Sequence, residues 1–497
     1  MSKKIAKSQE ELLQEALVPI EEQPYEVPGN WAWVKLIEIV EKMELRDPIK
    51  LQGEVFHYVD VESIDNKNQR VREYKETLIS EAPSRAKRGI NQDDVIISLV
   101  RPYLKNIALI EENNQLAVAS TAFYVCRTNG SFAPKFLYNY LRGPVATAYL
   151  NKHTKGDNSP SVRNSDFELI PIPLPPLNEQ KRIADKVERL LYKLEQAKEL
   201  VVQTMENIDL NRKSVIVNAY LGKLTEEWRR TNQINESAFD LVMEIQKRRQ
   251  DDYLSNVELT IKATSSPRKN KSEPDFIPYI SHEDSSLPKN WCMTRILDLT
   301  ECLDRFRKPV SKSERENRPG DIPYYGANGQ VDTINDYIFN DDIVLVVEDE
   351  TFTGREKPFS YIVRGKSWVN NHAHVLRPLG GIDVEYLNIC LSYYNFIPLT
   401  SGSTGRRKLT QAALNQAPLR LAPLSEQKII VSKVRKVYEV LDKVKQNCII
   451  TLERIECIKE SILNKAFKGE LGTYDHAEVK AIDLLIENEV GLNYRGQ

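Results

Sequence analysis

The sequence predicts an α+β protein in which two globular domains of mixed α/β content alternate with two long helices. These helices are expected to pair as an antiparallel coiled coil, within a pseudo-two-fold internal repeat. Three observations predict it. First, Leu174-Pro175-Pro176-Leu177-Asn178-Glu179-Gln180-Lys181 recurs 247 residues later as Leu421-Ala422-Pro423-Leu424-Ser425-Glu426-Gln427-Lys428. The offset then runs on without a gap, so that Val187, Leu194, Thr204, Ile208, Ser214, Ala219 and Gly222 fall opposite Val434, Leu441, Thr451, Ile455, Ser461, Ala466 and Gly469. Second, each repeat carries a heptad seam. Ile183, Val187, Leu190, Leu194, Ala197, Val201, Thr204 and Ile208 step by four and three, as do Ile430, Val434, Val437, Leu441, Val444, Cys448, Thr451 and Ile455, the spacing of helices that pack side by side. Third, short apolar runs such as Asp94-Val95-Ile96-Ile97-Ser98-Leu99-Val100 and Ile343-Val344-Leu345-Val346-Val347 precede each helix and read as strands.

In chain order, residues 1–27 form an N-terminal segment. Val27-Pro28-Gly29-Asn30-Trp31 opens a first globular domain, 28–176, and Leu287-Pro288-Lys289-Asn290-Trp291 opens a second, 287–423. The first long helix occupies 177–224, with Pro176 ahead of it, Asn178 as a candidate N-cap and Gly222 as its stop. The second occupies 424–472, with Pro423, Ser425 and Gly469 in the same places. About 44 residues at 1.5 Å rise make a rod of roughly 65 Å. Two equivalent seams in one chain most simply bury each other, while Leu191, Val202 and Met205 lie beyond the seam and offer apolar surface to other proteins. The plainer alternative is a stalk that packs only on itself. Residues 225–286 read as short helices and a polar linker centred on Ser265-Ser266-Pro267-Arg268-Lys269-Asn270-Lys271-Ser272-Glu273-Pro274. Ala238-Phe239-Asp240-Leu241-Val242 recurs as Ala481-Ile482-Asp483-Leu484-Leu485 in the C-terminal tail, 473–497.

Composition narrows the function. A chain of 497 residues exceeds what one core encloses. Its 41% hydrophobic and 28% charged residues suit a folded soluble protein. No apolar run approaches the 18 or so residues of a membrane span, and no apolar stretch follows the basic N-terminus, so a cytoplasmic location is expected. The six cysteines, Cys126, Cys292, Cys302, Cys390, Cys448 and Cys457, stand singly and read as reduced structural thiols. A net charge of -2 confines any polyanion-binding surface to local patches. Catalytic constellations are missing. Asn158-Ser159-Pro160-Ser161 is not the Asn/Asp-Pro-Pro-aromatic motif of a methyltransferase, and Gly402-Ser403-Thr404-Gly405-Arg406-Arg407-Lys408 lacks P-loop spacing. His372 and His374 stand two apart with no matching cysteine or carboxylate cluster, so hydrogen bonding or core packing is expected of them and no metal. Glu348-Asp349-Glu350 does not fit a nuclease spacing.

Taken together, the two Pro-Leu-x-Glu-Gln-Lys helix starts, the two Ala-aromatic-x-Gly-x-Leu helix ends (Ala219 to Leu224, Ala466 to Leu471) and the two Pro-x-Asn-Trp domain starts resemble the specificity subunits of Type I restriction-modification enzymes. The resemblance covers nearly the whole chain. It implies that each globular domain is a target recognition domain reading one half of a bipartite site in double-stranded DNA. It further implies that the helices space these domains and dock two methyltransferase subunits, with two restriction/translocase subunits joining them in phage defence. S-adenosylmethionine, ATP and Mg²⁺ would sit on those partners, and this chain would hold no cofactor and no catalytic residue.

Within the first domain, Ser98 to Ala108 and Ala119 to Phe123 look like strand-loop segments of that family. Arg101 and Lys105 are candidates for guanine or phosphate contact, Tyr103 is a further DNA-binding candidate, and Ser120 and Thr121 are candidates for hydrogen bonds to phosphate or base edges. The polar loop from Lys155 to Arg163, with Ser159, Ser161 and Arg163, aligns with Gly402 to Leu409, which carries Arg406, Arg407 and Lys408; both suit phosphates. In the second domain the candidates are Tyr324, Tyr325, Asn328, Arg355, Asn371 and His372. Arg101 could instead pair with a surface carboxylate, and Tyr324 and Tyr325 could instead be core. Two unlike domains predict an asymmetric target. The rival readings are a specificity component of another DNA-modifying assembly and a coiled-coil scaffold without DNA binding, the latter favoured by the near-neutral charge.

Overall fold

A computed structural model describes residues 9–263, 276–282, 284–350, 352, 355–402, 407–475 and 477–483. They fall into two compact units, residues 1–202 with 449–497, and residues 203–448.

In the first unit the strand Ala32–Lys35 pairs antiparallel with Pro171–Leu174, Ala32 opposite Leu174, so the domain's start and end meet just before the long helix. Val95–Ser98 lies between Phe123–Cys126 and Ile107–Leu109. Its unbroken apolar run follows from burial on both faces. Val95 and Ile97 join Phe136, Leu137 and Tyr140 in one cluster, whereas Ile96 joins Val59, Ala108 and Val125 in another. Each such side chain contributes about 1.5–3 kcal/mol. A second sheet is ordered Lys75–Leu78, Val55–Val59, Ala117–Ser120, Ala86–Gly89, its central pair parallel.

The second unit repeats this plan with other strands. Cys292–Arg295 pairs with Pro418–Leu421, Cys292 opposite Leu421. Ile343–Val347 lies between Ala373–Pro378 and Ser360–Val363. Val344 and Val346 face one cluster, and Ile343 and Leu345 the other. A further sheet is ordered Gly329–Ile334, Ile322–Gly326, Lys366–Val369, Phe339–Asn340.

The long helices are Leu177–Tyr220 and Leu424–Phe467, 44 residues each. All seam residues are buried or half-buried except Thr204 and Thr451. The carbonyls of Pro176 and Pro423 accept the amides of Gln180 and Gln427, both at 3.0 Å. Each helix therefore starts at Leu177 or Leu424, as expected, and Asn178 and Ser425, the candidate N-caps, lie inside its first turn, where they cap nothing. Beyond the helix ends, Gly222 and Gly469 take left-handed backbone, φ 73° and 72°. A Cβ there would stand 2.6 Å from Pro288 Cγ and 2.4 Å from Pro28 Cγ respectively, so close approach as well as φ requires glycine.

The repeated motifs are anchors. Trp31 Nε1 donates to Glu179 Oε2 at 2.9 Å, and Trp291 Nε1 to Glu426 Oε2 at 2.8 Å. Gln180 and Gln427 donate to the carbonyls of Pro175 and Ala422, both at 2.9 Å. Lys186 Nζ reaches the Leu471 carbonyl in the first unit, as Lys433 Nζ reaches that of Leu224 in the second. Of the short helices expected after the first rod, Glu226–Thr231 is present, and it is followed by one longer helix of 26 residues, Ala238–Ala263, which buries Ala238, Leu241, Val242 and Ile245 in the second unit's core. The linker around Ser265 to Pro274 lies outside the described residues, as do Leu484 and Leu485; Ala481 donates to the Asn30 carbonyl just as Ala238 donates to that of Asn290, both at 2.9 Å. All six cysteines are free thiols, and Cys457 alone is exposed. Burial pushes Cys292 and Cys390 up to about 12, which leaves them unreactive. No helix among the described residues is long and apolar enough to cross a membrane.

Candidate nucleic-acid interface

In the first unit three loops meet at the end of Val95–Ser98. Leu99 N–H donates to the Ala122 carbonyl at 3.2 Å, and Val162 N–H donates to the Leu99 carbonyl at 2.9 Å. Arg101 N–H then donates to the Pro160 carbonyl at 2.7 Å, and Ser161 bridges both Val100 and Lys155. This backbone node gathers Arg101, Tyr103 and Lys105, Thr121, and Ser159, Ser161 and Arg163 from separate parts of the sequence. All are exposed except Ser161, which is half-buried. Arg101 and Lys105 flank the one-turn helix Pro102–Leu104 and both hold left-handed backbone, φ 50° and 53°. Ser120 differs: it is buried in its strand, and its hydroxyl accepts the Ala122 amide at 3.3 Å. A committed, covered hydroxyl does not reach DNA, so Ser120 is a turn-former. Sequence reasoning missed Arg85, an exposed residue whose carbonyl accepts the Thr121 amide at 2.8 Å, which sets it beside Thr121. Only strand pairing reveals that proximity.

The second unit builds the same node from other residues. Glu348 N–H donates to the His372 carbonyl at 3.1 Å, and Leu409 N–H donates to the Glu348 carbonyl at 2.8 Å. Asp349 pairs with Lys408 as Val100 bridges Ser161. Asn370 N–H donates to the Tyr325 carbonyl at 3.0 Å, which brings the Tyr325 to Asn328 turn beside Asn371 and His372. Asn328, Asn371 and His372 are exposed, and His372 Nδ1 lies 3.4 Å from Asp349. Arg355 donates to Asn328 Oδ1 at 2.8 Å and lies 5.6 Å over the Phe359 ring. Arg407 is turned back onto the Thr400 hydroxyl at 2.7 Å, whereas Lys408 Nζ stands 3.1 Å from Glu348. Arg406 lies outside the described residues. Tyr324 is a correction: it is 2% exposed, and its hydroxyl meets the backbone of Val310 while Arg315 covers its ring. Tyr325 is half-buried, its ring 6.1 Å from Tyr361.

Beneath this node lies a buried ion network. Arg307 pairs with both Asp304 and Glu348. His374 Nδ1 meets Asp304 Oδ2 at 2.5 Å and its Nε2 faces the Leu409 carbonyl at 2.8 Å. Burial pushes Asp304 up, but the His374 hydrogen bond and charge, the Val375 amide and Arg307 together hold its carboxyl below the usual range. Asp304, Glu348 and His374 are close enough to share a cation, yet Arg307 already supplies that charge, and His374 Nε2 is turned to backbone.

Of the helix residues expected to meet partners, Val202 is exposed, Met205 is half-buried, and Leu191 packs against the first unit's core. The exposed apolar positions that sequence reasoning passed over are Tyr192, Leu200, Leu210 and Val217 on the first helix and Val440, Ile449 and Ile458 on the second.

Comparison with known proteins adds a family. The Type I restriction modification DNA specificity domain matches residues 28–204 and 288–454. The chain is 37% identical over 134 residues to a putative type I restriction enzyme specificity subunit of Haemophilus influenzae, a match spanning 27% of this chain and 34% of that relative. It is 25% identical over 355 residues to the EcoDI specificity subunit of Escherichia coli, covering 69% of this chain and 71% of the relative. In fold it is similar to a chain from a type I restriction-modification assembly, with TM-score 0.64 and 24% identity over 90% of this chain and all of that one. The HsdS subunit of Thermoanaerobacter tengcongensis gives TM-score 0.57 and 24% identity, over 91% of this chain and all of that one.

Proposed function

The chain belongs to the Type I restriction-modification DNA specificity family, and from that premise we propose that it is the DNA-reading, non-catalytic subunit of such an enzyme. Each unit presents its node to one half of an asymmetric bipartite site. The observation that carries this reading is the recurrence of one backbone node, Leu99/Ala122/Val162 and Glu348/His372/Leu409, under unlike side chains. A fixed frame that displays different donors and acceptors is what reading two different half-sites requires. Arg101, Lys105, Thr121, Ser159, Ser161 and Arg163 serve the first half-site. Tyr325, Asn328, Arg355, Asn371, His372, Arg406, Arg407 and Lys408 serve the second.

The two long helices pair as an antiparallel coiled coil and carry two methyltransferase and two restriction/translocase subunits, on which S-adenosylmethionine, ATP and Mg²⁺ are bound. Pairing is supported within the first unit by Lys198 at 3.8 Å from Glu456, and within the second by the Arg212 ion pair with Asp442.

Methylation mapping in cells carrying the chain and its methyltransferase identifies the site, and gel shift of that duplex across a salt series tests the contact. Six to ten phosphate contacts lower affinity about 10³–10⁵-fold between 50 and 200 mM salt. Affinity that is flat in salt, or equal for any duplex, would favour a scaffold without DNA binding.

A further inference from the structure

The turn that follows Val95–Ser98 carries an apolar crest. Pro102 is buried beneath it, while Tyr103 is 55% and Leu104 38% exposed. The crest is stiff, because Leu104 N–H donates to the Arg101 carbonyl and Lys105 N–H to the Pro102 carbonyl, both at 2.9 Å. At its two feet Arg101 and Lys105 hold left-handed backbone, a conformation costly for any residue with a Cβ. Such cost persists where surrounding structure enforces it, and it gathers at working surfaces. Among the described residues, no carboxylate contacts either of these two cations. The second unit shows that exposure is not imposed by the node. After Ile343–Val347 the chain turns its aromatic inward, and Phe352 is 1% exposed and stacked 5.4 Å from Phe359.

We propose that Tyr103 and Leu104 form a wedge that enters the duplex at one base step of the first half-site, with Arg101 and Lys105 seated on the flanking phosphates. The inference rests on the DNA reading above and adds how the first unit achieves it. An aromatic and a leucine on a rigid crest can open a stacked step, and the cations at its feet hold the opened backbone. Steps differ in how readily they open, pyrimidine–purine steps most easily, so the wedge selects sequence through deformability as well as through base edges. Among the described residues the second unit shows no such crest, so its half-site is expected to stay stacked.

The test uses the full chain with its methyltransferase subunits and duplexes of the mapped site carrying 2-aminopurine at successive positions. Wild type is expected to raise fluorescence at one step of the first half-site and at none in the second, and Tyr103→Ala to abolish the rise. On the intact duplex Tyr103→Ala is expected to bind about tenfold more weakly. On a duplex mismatched at that step, already unstacked, the loss shrinks to about twofold. Tyr103→Phe is expected to bind as wild type does. The wedge is overturned if no position brightens or if Tyr103→Ala binds the intact duplex normally. It is equally overturned if the variant loses the same factor on both duplexes, or if it loses its protein partners and not its DNA. Wild type that binds no duplex at all would instead remove the DNA reading, and the wedge with it.

Discussion

The two buried glutamates show how one motif residue acquires two characters. Glu426 is paired with Arg229 and hydrogen-bonded by Thr225 at 2.6 Å, besides its Trp291 contact. Glu179 has the Trp31 contact, with only weaker support from Thr473 and Arg182 and, among the described residues, no ion pair like that between Glu426 and Arg229. Burial, the largest influence, pushes the Glu179 carboxyl up, and the Trp31 hydrogen bond only partly offsets it. A carboxyl raised on folding favours the fold while protonated, and that contribution is lost as pH rises from its unfolded value through its folded one. Glu179→Gln is therefore expected to raise the melting temperature at pH 8, with the gain vanishing towards pH 4; a gain that grows on acidification contradicts this. Glu426→Gln breaks a buried ion pair and is expected to cost about 3 kcal/mol at neutral pH, read as an earlier denaturant midpoint. The sequence marks both glutamates through the duplicated motif. It does not reveal their partners, since Arg229 and Thr225 lie outside the aligned motif. Tyr324 and Tyr325 were equally open to core and contact readings, and only the fold separates them, burying the first and leaving the second half-buried.

The long helices were legible as elements because a heptad spacing repeated over so many turns has few other solutions, and their ends follow from Gly222 and Gly469. Their outward faces were less legible. Leu191 sits beyond the seam but is covered by the first domain, a tertiary contact that helical periodicity does not encode. Val202 at 40% and Leu210 at 65% exposure are better reporters of a partner surface. Val202→Asp and Leu210→Asp are expected to leave the melting temperature of the isolated chain unchanged. In a complex that covers them, an unpaired buried charge costs several kcal/mol, so methyltransferase subunits should no longer co-purify. Retention of the full complex by both variants would place the partners elsewhere. The helix Ala238–Ala263 was underestimated because its apolar positions are sparse and its stability comes from docking into the second unit's core.

Across the whole chain, the duplication fixed the order of domains and rods, whereas the near-neutral charge said little about which surfaces meet DNA. Exchanging residues 28–170 for the matching domain of a relative is expected to change one half of the methylated sequence and leave the other intact; changes in both halves would show that the reading units are misplaced. The division of the chain also bears on its birth. Residues 203–448 are contiguous, but the first unit is finished only when 449–483 arrive, bringing Phe467 against Phe136 and Tyr140. At about 5–20 residues per second, the first domain waits on the order of ten to fifty seconds on the ribosome with those aromatic rings uncovered. The half translated last thus becomes complete before the half translated first. A chain stopped after residue 448 should lose protease resistance in residues 28–176 while 287–423 stays resistant, and a nascent chain should need its chaperones at the N-terminal domain.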